Sequence, residues 1–126
     1  MTYHFSLVVM MITNMCLCQS QQINWIDANS DKAELVSKLS DKPYLIYYKL
    51  DGCSACDKTN TYLEVYSSYI NRFYYPIIVD CSKDEDCESI EYFPKIEFIE
   101  ADGGNKITLE GLQVKEFVWS SLTQMP

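Results

Sequence analysis

The sequence predicts a single α/β domain built on a mixed central β-sheet with helices on both faces. Short apolar runs typical of strands alternate with segments of helical periodicity, and a hairpin turn joins the last two runs. The length of 126 residues is that of one domain. The predicted order is therefore strand, helix, strand, helix and strand, followed by a hairpin and a final helix.

The N-terminal segment differs from the rest of the chain in composition. The run Phe5–Ile12 is apolar, and no Asp, Glu, Lys or Arg precedes Asp27. This run is shorter than the roughly 20 residues that a membrane span requires, and small residues suited to a cleavage site lie near Ser20. We therefore expect residues 1–20 to be a secretory signal peptide and residues 21–126 to form the mature domain.

Three elements are predicted in the first part of the mature domain. The short apolar run Ile23–Ile26 is a first strand or its lead-in. A helix follows, in which Asp31 and Glu34 have the spacing of a capping box, and it ends near Ser40 because a turn signal comes next. The nearly continuous apolar run Tyr44–Tyr48 predicts a strand buried on both faces. The apolar residues at helical spacing in the first helix are Leu35, Val36 and Leu39.

A longer helix is predicted from Ser54 to Ile70, with a tyrosine-rich stripe that we interpret as core packing rather than a binding surface. The stripe consists of Tyr62, Tyr66, Tyr69, Ile70 and Phe73, with Leu63 and Val65 beside it. Tyr74–Val79 predicts the third strand. The acidic segment Asp80–Glu91 is then a loop or a short helix, and its charges are interpreted as a solvated face.

The end of the chain predicts a hairpin and a helix. Apolar residues alternate with polar ones along Lys95–Ile99, which indicates a fourth strand. The turn Asp102–Asn105 leads into a fifth strand, Lys106–Glu110. The apolar face predicted for the last helix consists of Val114, Phe117, Val118 and Leu122.

Removal of the signal peptide would leave four cysteines, namely Cys53, Cys56, Cys81 and Cys87. An even number of cysteines in an exported domain indicates two intramolecular pairs in an oxidising compartment. The only histidine, His4, would also be removed, which excludes a histidine base or a histidine-ligated metal from the mature domain. Structural zinc sites of four thiolates usually have two closely spaced pairs, whereas five residues separate Cys81 from Cys87, so we expect no metal and no other cofactor.

Cys53 and Cys56 occupy the most informative stretch of the sequence. Cys53 follows a predicted buried strand and begins a predicted helix, where unpaired backbone N–H groups and the helix dipole favour a thiolate. Cys56 lies one helical turn further on, close enough to close a disulfide with Cys53. This spacing indicates a pair that cycles between dithiol and disulfide, and the alternative is a permanently closed, inert disulfide.

The mature domain is acidic. All 18 acidic and 10 basic residues follow the predicted signal peptide, which gives a formal net charge of −8. This excess of negative charge argues against nucleic acid or an anionic membrane surface as a partner.

The Cys-x-x-Cys pair at the end of a strand, within this order of elements, resembles the thioredoxin superfamily. The similarity is greatest to exported or ER-lumenal single-domain members and spans nearly the whole mature chain. Other matching features are Trp25 near the first strand, the Lys42-Pro43 step into the central strand, Pro94 at the start of the fourth strand, and Gly111 before the last helix.

The resemblance implies a thioredoxin fold and a protein-disulfide oxidoreductase in which Cys53 attacks the substrate disulfide and Cys56 resolves the mixed disulfide. It also implies that the peptide bond before Pro94 is cis and that the backbone of Phe93 faces the cysteine pair and holds the substrate chain. No dissociable cofactor would be required, because electrons would come from another thiol system. Protein thiols and disulfides are the implied partners of what we expect to be a monomer.

The second cysteine pair, Cys81 and Cys87, resembles a pair that recurs in some ER thioredoxin-like domains. The resemblance implies that it forms a non-catalytic, structural disulfide. A regulatory redox switch is the alternative role for this pair.

The sequence also departs from the thioredoxin pattern. Gly52 stands where most members have a tryptophan, and Tyr47 stands where many thioredoxins have a buried acid, six residues before Cys53. Asp51 and Asp57 flank the pair and oppose a thiolate, while nearby lysines partly offset them. We therefore expect Cys53 to be less reactive than its counterpart in a typical thioredoxin.

A second hypothesis places the chain among binding proteins. A secreted protein with this fold and weak redox activity would hold client proteins at a groove beside Pro94. For either function we expect a location in the secreted fraction or the ER lumen, and secretion is favoured because the chain carries no Lys-Asp-Glu-Leu-type signal at its end.

Overall fold

The structure, a computed structural model, describes residues 22–83, 85–113 and 115–125. The predicted signal peptide and Val114 lie outside these residues. Within them, no helix is both long enough and apolar enough to span a membrane. The elements in chain order are β1 (Ile26–Asp27), α1 (Asp31–Val36), β2 (Tyr44–Lys49), α2 (Ser54–Val65), α3 (Ser67–Phe73), β3 (Tyr75–Asp80), a 3₁₀ turn (Glu85–Cys87), β4 (Lys95–Ile99), β5 (Lys106–Glu110) and α4 (Lys115–Gln124).

The strands form one mixed five-stranded sheet in the order β1-β3-β2-β4-β5. β3 is parallel to both β1 and β2, whereas β4 is antiparallel to both β2 and β5. The parallel pairs arise from strand–helix–strand connections, and the antiparallel β4–β5 pair arises from the predicted hairpin. The predicted α/β fold class is therefore confirmed, and the central strand β2 leads directly to the first cysteine.

Successive residues of a strand point to opposite faces of the sheet, so each face has its own core. The larger core lies between the sheet and helices α2, α3 and α4. Its strand residues are Leu45, Tyr47, Ile96, Phe98 and Leu109, and its helix residues are Leu63, Ile70, Val118 and Leu122. On the opposite face, Ala33 and Val36 of α1 pack against Ile26, Tyr44 and Tyr75. Helices therefore lie on both faces, as predicted.

Helix α1 is shorter than predicted and starts with a different cap. Ser30, in an extended conformation with φ −89° and ψ 157°, is the N-cap, and its side chain accepts a hydrogen bond from the Ala33 N–H at 3.2 Å. Asp31 is thus the first helical residue rather than the cap of a capping box. The helix ends at Val36, so Leu39 lies beyond it and is 42% exposed.

The predicted long helix is interrupted at Tyr66. This residue has φ −104° and ψ 20°, which ends α2 at Val65 and starts α3 at Ser67. The interruption shifts the helical repeat, so one stripe does not continue from the first helix into the second. Phe73, beyond the interruption, is exposed, so its predicted place in a core-packing stripe is wrong. Val65, predicted beside the stripe, is exposed at the end of α2.

The tyrosines around this interruption pack at the edge of the core. Tyr66 and Tyr69 contact the larger core, and their rings lie 4.8 and 5.1 Å from the Trp119 ring of α4. The predicted packing role therefore applies to these two residues. On α4, Phe117 is 52% exposed, which corrects its predicted place on the buried face, whereas Val118 is fully buried.

Candidate functional site

The cysteine pair lies at the junction of β2 and α2. The chain leaves β2 after Lys49, passes through the loop 50–52, and reaches Cys53, the N-cap residue of α2. The sulfur of Cys53 accepts a hydrogen bond from the Cys56 N–H at 3.1 Å. The Cys53 sulfur is therefore held at the positive end of the helix dipole, where a negative charge on it would be stabilised.

Cys53 and Cys56 form a disulfide with a Cα–Cα distance of 5.2 Å, and their exposure differs. Cys53 is partly exposed, whereas Cys56 is only 2% exposed. A molecule arriving from solvent would therefore meet the Cys53 sulfur first. This asymmetry suits a reaction in which one sulfur contacts the substrate and the other acts from inside the protein.

Gly52, in the position of the tryptophan of the resemblance, has a backbone that favours glycine. Its φ of +69° lies in the left-handed region, and within the described part of the chain no heavy atom beyond its two sequence neighbours lies within 4 Å of the place where a Cβ would be. A side chain here would be strained by the backbone conformation rather than by a collision. The loop before Cys53 therefore has a turn that depends on glycine.

Tyr47 lies behind the pair, in the position of the buried acid. Its hydroxyl donates a hydrogen bond to the Cys56 carbonyl oxygen at 2.7 Å, and its ring lies 5.5 Å from the Trp25 ring. Burial, with a smaller contribution from the charge of Asp57, holds the pKa of Tyr47 well above its usual value. The phenol therefore remains protonated at neutral pH, so it serves as a hydrogen-bond donor and not as a base.

A pocket of about 340 Å³ opens beside Cys56. Trp25 and Tyr47 form part of its wall, and the acidic side chains of Asp57 and Glu64 also line it. Glu64 accepts a hydrogen bond from the Ile23 N–H at 3.3 Å. Sequence reasoning did not single out Glu64, although its position two helical turns beyond Cys56 on α2 was the available signal.

Pro94 lies beside the end of the central strand. The peptide bond between Phe93 and Pro94 is cis. In the β2–β4 register Tyr48 faces Lys95, so Pro94 comes next to the point where β2 ends and the loop to Cys53 begins. The Pro94 carbonyl oxygen accepts a hydrogen bond from the Gly111 N–H at 2.8 Å, which ties this segment to the end of β5.

The side chains next to this proline differ in exposure. Pro94 itself is buried, Phe93 is partly exposed, and Tyr92 is 61% exposed. The residues lining the pocket beside Cys56 belong to other segments of the described chain. Two separate features thus lie near the β2–α2 junction, an acidic pocket beside Cys56 and, next to the end of β2, the aromatic segment before Pro94.

The second pair, Cys81 and Cys87, forms a disulfide with a Cα–Cα distance of 5.6 Å. The resulting ring contacts the loop that precedes Cys53. The Cys81 N–H donates to the Lys49 carbonyl oxygen at 2.8 Å, and the Ser82 hydroxyl oxygen accepts from the Asp51 N–H at 2.8 Å. The turn that holds Cys81 is therefore hydrogen-bonded to the residues that lead from β2 to Cys53.

Charged groups also cluster on the face of the sheet opposite the larger core. Glu97, on β4, is buried and forms ion pairs with Lys95 at 3.5 Å and with Lys106 at 3.2 Å. Burial alone would raise the pKa of Glu97, but hydrogen bonds from Tyr48 and Lys106 and the charge of Lys95 outweigh it and hold this pKa below its usual value. Among the residues that the structure describes, no group of three or more histidine, cysteine or acidic side chains is arranged to hold a metal ion.

No protein-family model matches the sequence, and no curated protein matches it. Solved structures do match. Chloroplastic thioredoxin z is 17% identical with a TM-score of 0.66, over 84% of this chain and 96% of that one. A chain in the structure of the complex of ferredoxin:thioredoxin reductase and thioredoxin f2 is 14% identical with a TM-score of 0.63, over 82% of this chain and 94% of that one. The reduced thioredoxin pre-protein of Schistosoma mansoni is 16% identical with a TM-score of 0.62, over 84% and 100%.

Similarity at such low identity establishes the fold alone and does not establish the chemistry of the cysteine pair. The matches extend over nearly the full length of these thioredoxins. The mixed sheet, the helices on both faces and the cysteine pair at the β2–α2 junction agree with them. The chain therefore has the thioredoxin fold.

Proposed function

We propose that this chain is an exported thiol–disulfide oxidoreductase that acts on protein disulfides through Cys53 and Cys56. The observation that carries the proposal is the asymmetry of the pair at the start of α2. The partly exposed Cys53 sulfur caps the helix, whereas Cys56 is buried behind it. This arrangement gives one accessible sulfur whose thiolate is stabilised and one protected sulfur within bonding distance.

In the reducing direction the reaction begins with the dithiol form. The Cys53 thiolate attacks one sulfur of the client disulfide, a mixed disulfide forms, and the other client sulfur leaves as a thiolate that takes up a proton. The Cys56 thiolate then attacks the Cys53 sulfur, which releases the second client thiol and closes the Cys53–Cys56 disulfide. Two electrons pass from the protein to the client, and a dithiol reductant must restore the pair. The same steps in reverse oxidise a client dithiol.

The position of the Phe93–Pro94 segment supports a binding place for the client chain. The Phe93–Pro94 segment borders the end of β2, from which the loop to Cys53 starts. We propose that the backbone of Phe93 holds an extended segment of the client next to the Cys53 sulfur. The exposed ring of Tyr92 would add apolar contact area to that segment.

The charges around the cysteine pair support a modest reactivity of Cys53. Asp51 and Asp57 lie on either side of the cysteines, and Asp51 forms an ion pair with Lys49 at 3.9 Å. A carboxylate near a thiolate disfavours it, and the lysine offsets only part of this effect. We propose that Cys53 is less activated, and exchanges more slowly, than the attacking cysteine of a typical thioredoxin, because less of it is thiolate.

Turnover tests the enzymatic proposal. The mature domain, Cys53→Ser and Cys56→Ser are incubated with a disulfide-bonded protein and a dithiol reductant, and the exposed Ser68→Ala serves as a matched control. We expect activity for the mature domain and the control, loss of activity for Cys53→Ser, and a trapped mixed disulfide for Cys56→Ser. Absence of turnover in the mature domain, together with a reduction potential well below about −300 mV, would refute the proposal.

The same variants test the binding alternative. A client-binding protein with an inert disulfide would retain its interaction in the Cys53→Ser and Cys56→Ser variants, because no covalent step would be involved. None of the features found among the described residues specifically supports that alternative. The reduction potential also gives the direction of exchange, since about −270 mV favours a reductase and about −120 mV favours an oxidase.

We also propose that residues 1–20 are a signal peptide and that the mature protein is secreted or retained in the ER lumen. The apolar N-terminal run and the even number of later cysteines support this proposal. The side chain of Asn71 accepts from the Asn24 N–H and donates to the Gln22 carbonyl oxygen, both at 2.8 Å, so the fold is anchored just after the proposed cleavage site. N-terminal sequencing of protein from the culture medium and from cell fractions would test both claims.

A further inference from the structure

The loop between β2 and Cys53 is held from outside by a second segment of the chain. Its Asp51 N–H donates to the hydroxyl oxygen of Ser82 at 2.8 Å. At the start of the loop, the carbonyl oxygen of Lys49 accepts from the Cys81 N–H at 2.8 Å. Both contacts come from consecutive residues of the same turn, so that turn is a support for the loop.

The supporting turn is itself fixed at two points. On one side it continues β3, whose last residue Asp80 pairs with Lys49 of β2. Asp80 also accepts from the Ser82 N–H at 3.1 Å, which orients the residue that contacts the loop. On the other side the Cys81–Cys87 disulfide closes the turn into a ring.

We propose that Ser82 and the Cys81–Cys87 ring position the loop that leads to Cys53. An intact Cys81–Cys87 disulfide would thereby determine how reactive the Cys53 thiolate is. The described hydrogen bonds of Ser82 go to Asp51 and Asp80 and not to the sulfurs, so it acts through the Asp51 backbone as a positioning residue. This inference rests on the proposed exchange function.

The physical consequence follows from the position of Cys53. Its sulfur is stabilised as a thiolate only while it caps α2 and receives the Cys56 N–H. The loop 50–52 links this cap to β2, and Gly52 gives it a turn that can relax into other conformations. Without the Ser82 hydroxyl, the Asp51 N–H loses its partner, and the cap sulfur would spend less time at the helix end.

The experiment uses a background in which Cys53 is the only free thiol. Cys56→Ser leaves Cys53 unpaired and the Cys81–Cys87 disulfide intact, so Cys53 alkylation by iodoacetamide reports its thiolate without any client or reductant. The rate is measured from pH 5 to pH 10 in this parent and in the added variants Ser82→Ala, Ser82→Thr and Cys81→Ala/Cys87→Ala. Ser89→Ala, an exposed serine beyond the ring, is the matched control. The charged groups near the pair, Lys49, Asp51, Asp57 and Glu64, are the same in every variant.

We expect Ser82→Ala to slow alkylation at pH 7 by about 2- to 10-fold, the equivalent of one lost hydrogen bond, and to move the profile to higher pH. The double variant at Cys81 and Cys87 should show a similar change, and Ser82→Thr should restore the parent rate because it keeps a hydroxyl. Ser89→Ala should match the parent.

Two results would overturn the inference. One is a Ser82→Ala profile that superimposes on the parent, even if its thermal unfolding midpoint is lower, because the hydroxyl would then have only a structural role. The other is a parent-like rate in the Cys81 and Cys87 double variant, since the ring would then not support the loop. A parent whose Cys53 reacts no faster than a free cysteine would instead count against the proposed exchange function, because its thiolate would then not be stabilised at the helix end. The differences between variants are measured against this parent, so the two failures can be told apart.

Discussion

The role of the Tyr47 hydroxyl, which stands where the resemblance has a buried acid, can be tested directly. Tyr47 is 1% exposed, and its hydroxyl donates to the Cys56 carbonyl oxygen at 2.7 Å. Tyr47→Phe keeps the ring and its contact with Trp25 but removes this donor. A hydrogen bond of this kind contributes about 0.5–1.5 kcal/mol to stability. For a domain of this size we expect the unfolding midpoint to fall by about 2–7 °C.

The assay combines thermal unfolding with the pH profile of exchange. Because the pKa of Tyr47 lies well above its usual value, the phenol is uncharged up to pH 10. The Tyr47→Phe profile should therefore keep the shape of the wild-type profile below that pH while its stability decreases. Tyr62→Phe, at a partly exposed tyrosine of α2, is the matched control and should leave both properties unchanged. A changed profile shape with unchanged stability would refute the reasoning, since Tyr47 would then exchange protons with the pair.

Three further predictions concern stability. Gly52→Ala should lower the unfolding free energy by about 1–2 kcal/mol, because alanine is strained at the positive φ of this residue. The exposed Ser68→Ala is the comparison, and equal stability of Gly52→Ala and wild type would contradict the argument. Replacing both Cys81 and Cys87 with alanine should lower the unfolding free energy by about 2 kcal/mol, because the unfolded chain gains loop entropy. Urea unfolding measures this difference, and no decrease would contradict the prediction. Glu97→Gln should make the unfolding free energy fall less steeply as the pH is lowered. The pKa of Glu97 is lowered in the folded state, so the stability that this carboxylate contributes is present above the usual pKa of 4.5 and is lost as the pH falls through the lower folded pKa. Parallel acid limbs would contradict that prediction.

The order of the elements could be predicted from the sequence, because each element has a strong local pattern. Tyr44–Tyr48 is too apolar for a surface strand, and the turn Asp102–Asn105 specifies the hairpin that makes β4 and β5 antiparallel. The interruption at Tyr66 could not be predicted in this way. Tyrosine is compatible with a helix interior, and the residue leaves the helical conformation where its ring stacks on Trp119 from the far end of the chain.

The candidate site, like the fold, could be predicted only in part from the sequence. Two cysteines with this spacing at a strand end indicate the redox pair from local sequence alone. The hydrogen bond from Asp51 to Ser82 joins residues 31 positions apart, and the contact between Ile23 and Glu64 joins residues 41 positions apart. Contacts of this range depend on strand register and on the crossover between strands, which a single sequence does not encode locally.

The two edges of the sheet have a consequence for the proposed exchange with client proteins. An exposed strand edge offers free N–H and C=O groups to any extended chain and thereby promotes aggregation. Here one edge is β1, which has only two residues, and the other is β5, whose ends are the charged residues Lys106 and Glu110. A client chain held near Cys53 therefore finds little free backbone to extend the sheet. If the proposed exchange function holds, release of a client is favoured because neither border of the sheet is a good template for it.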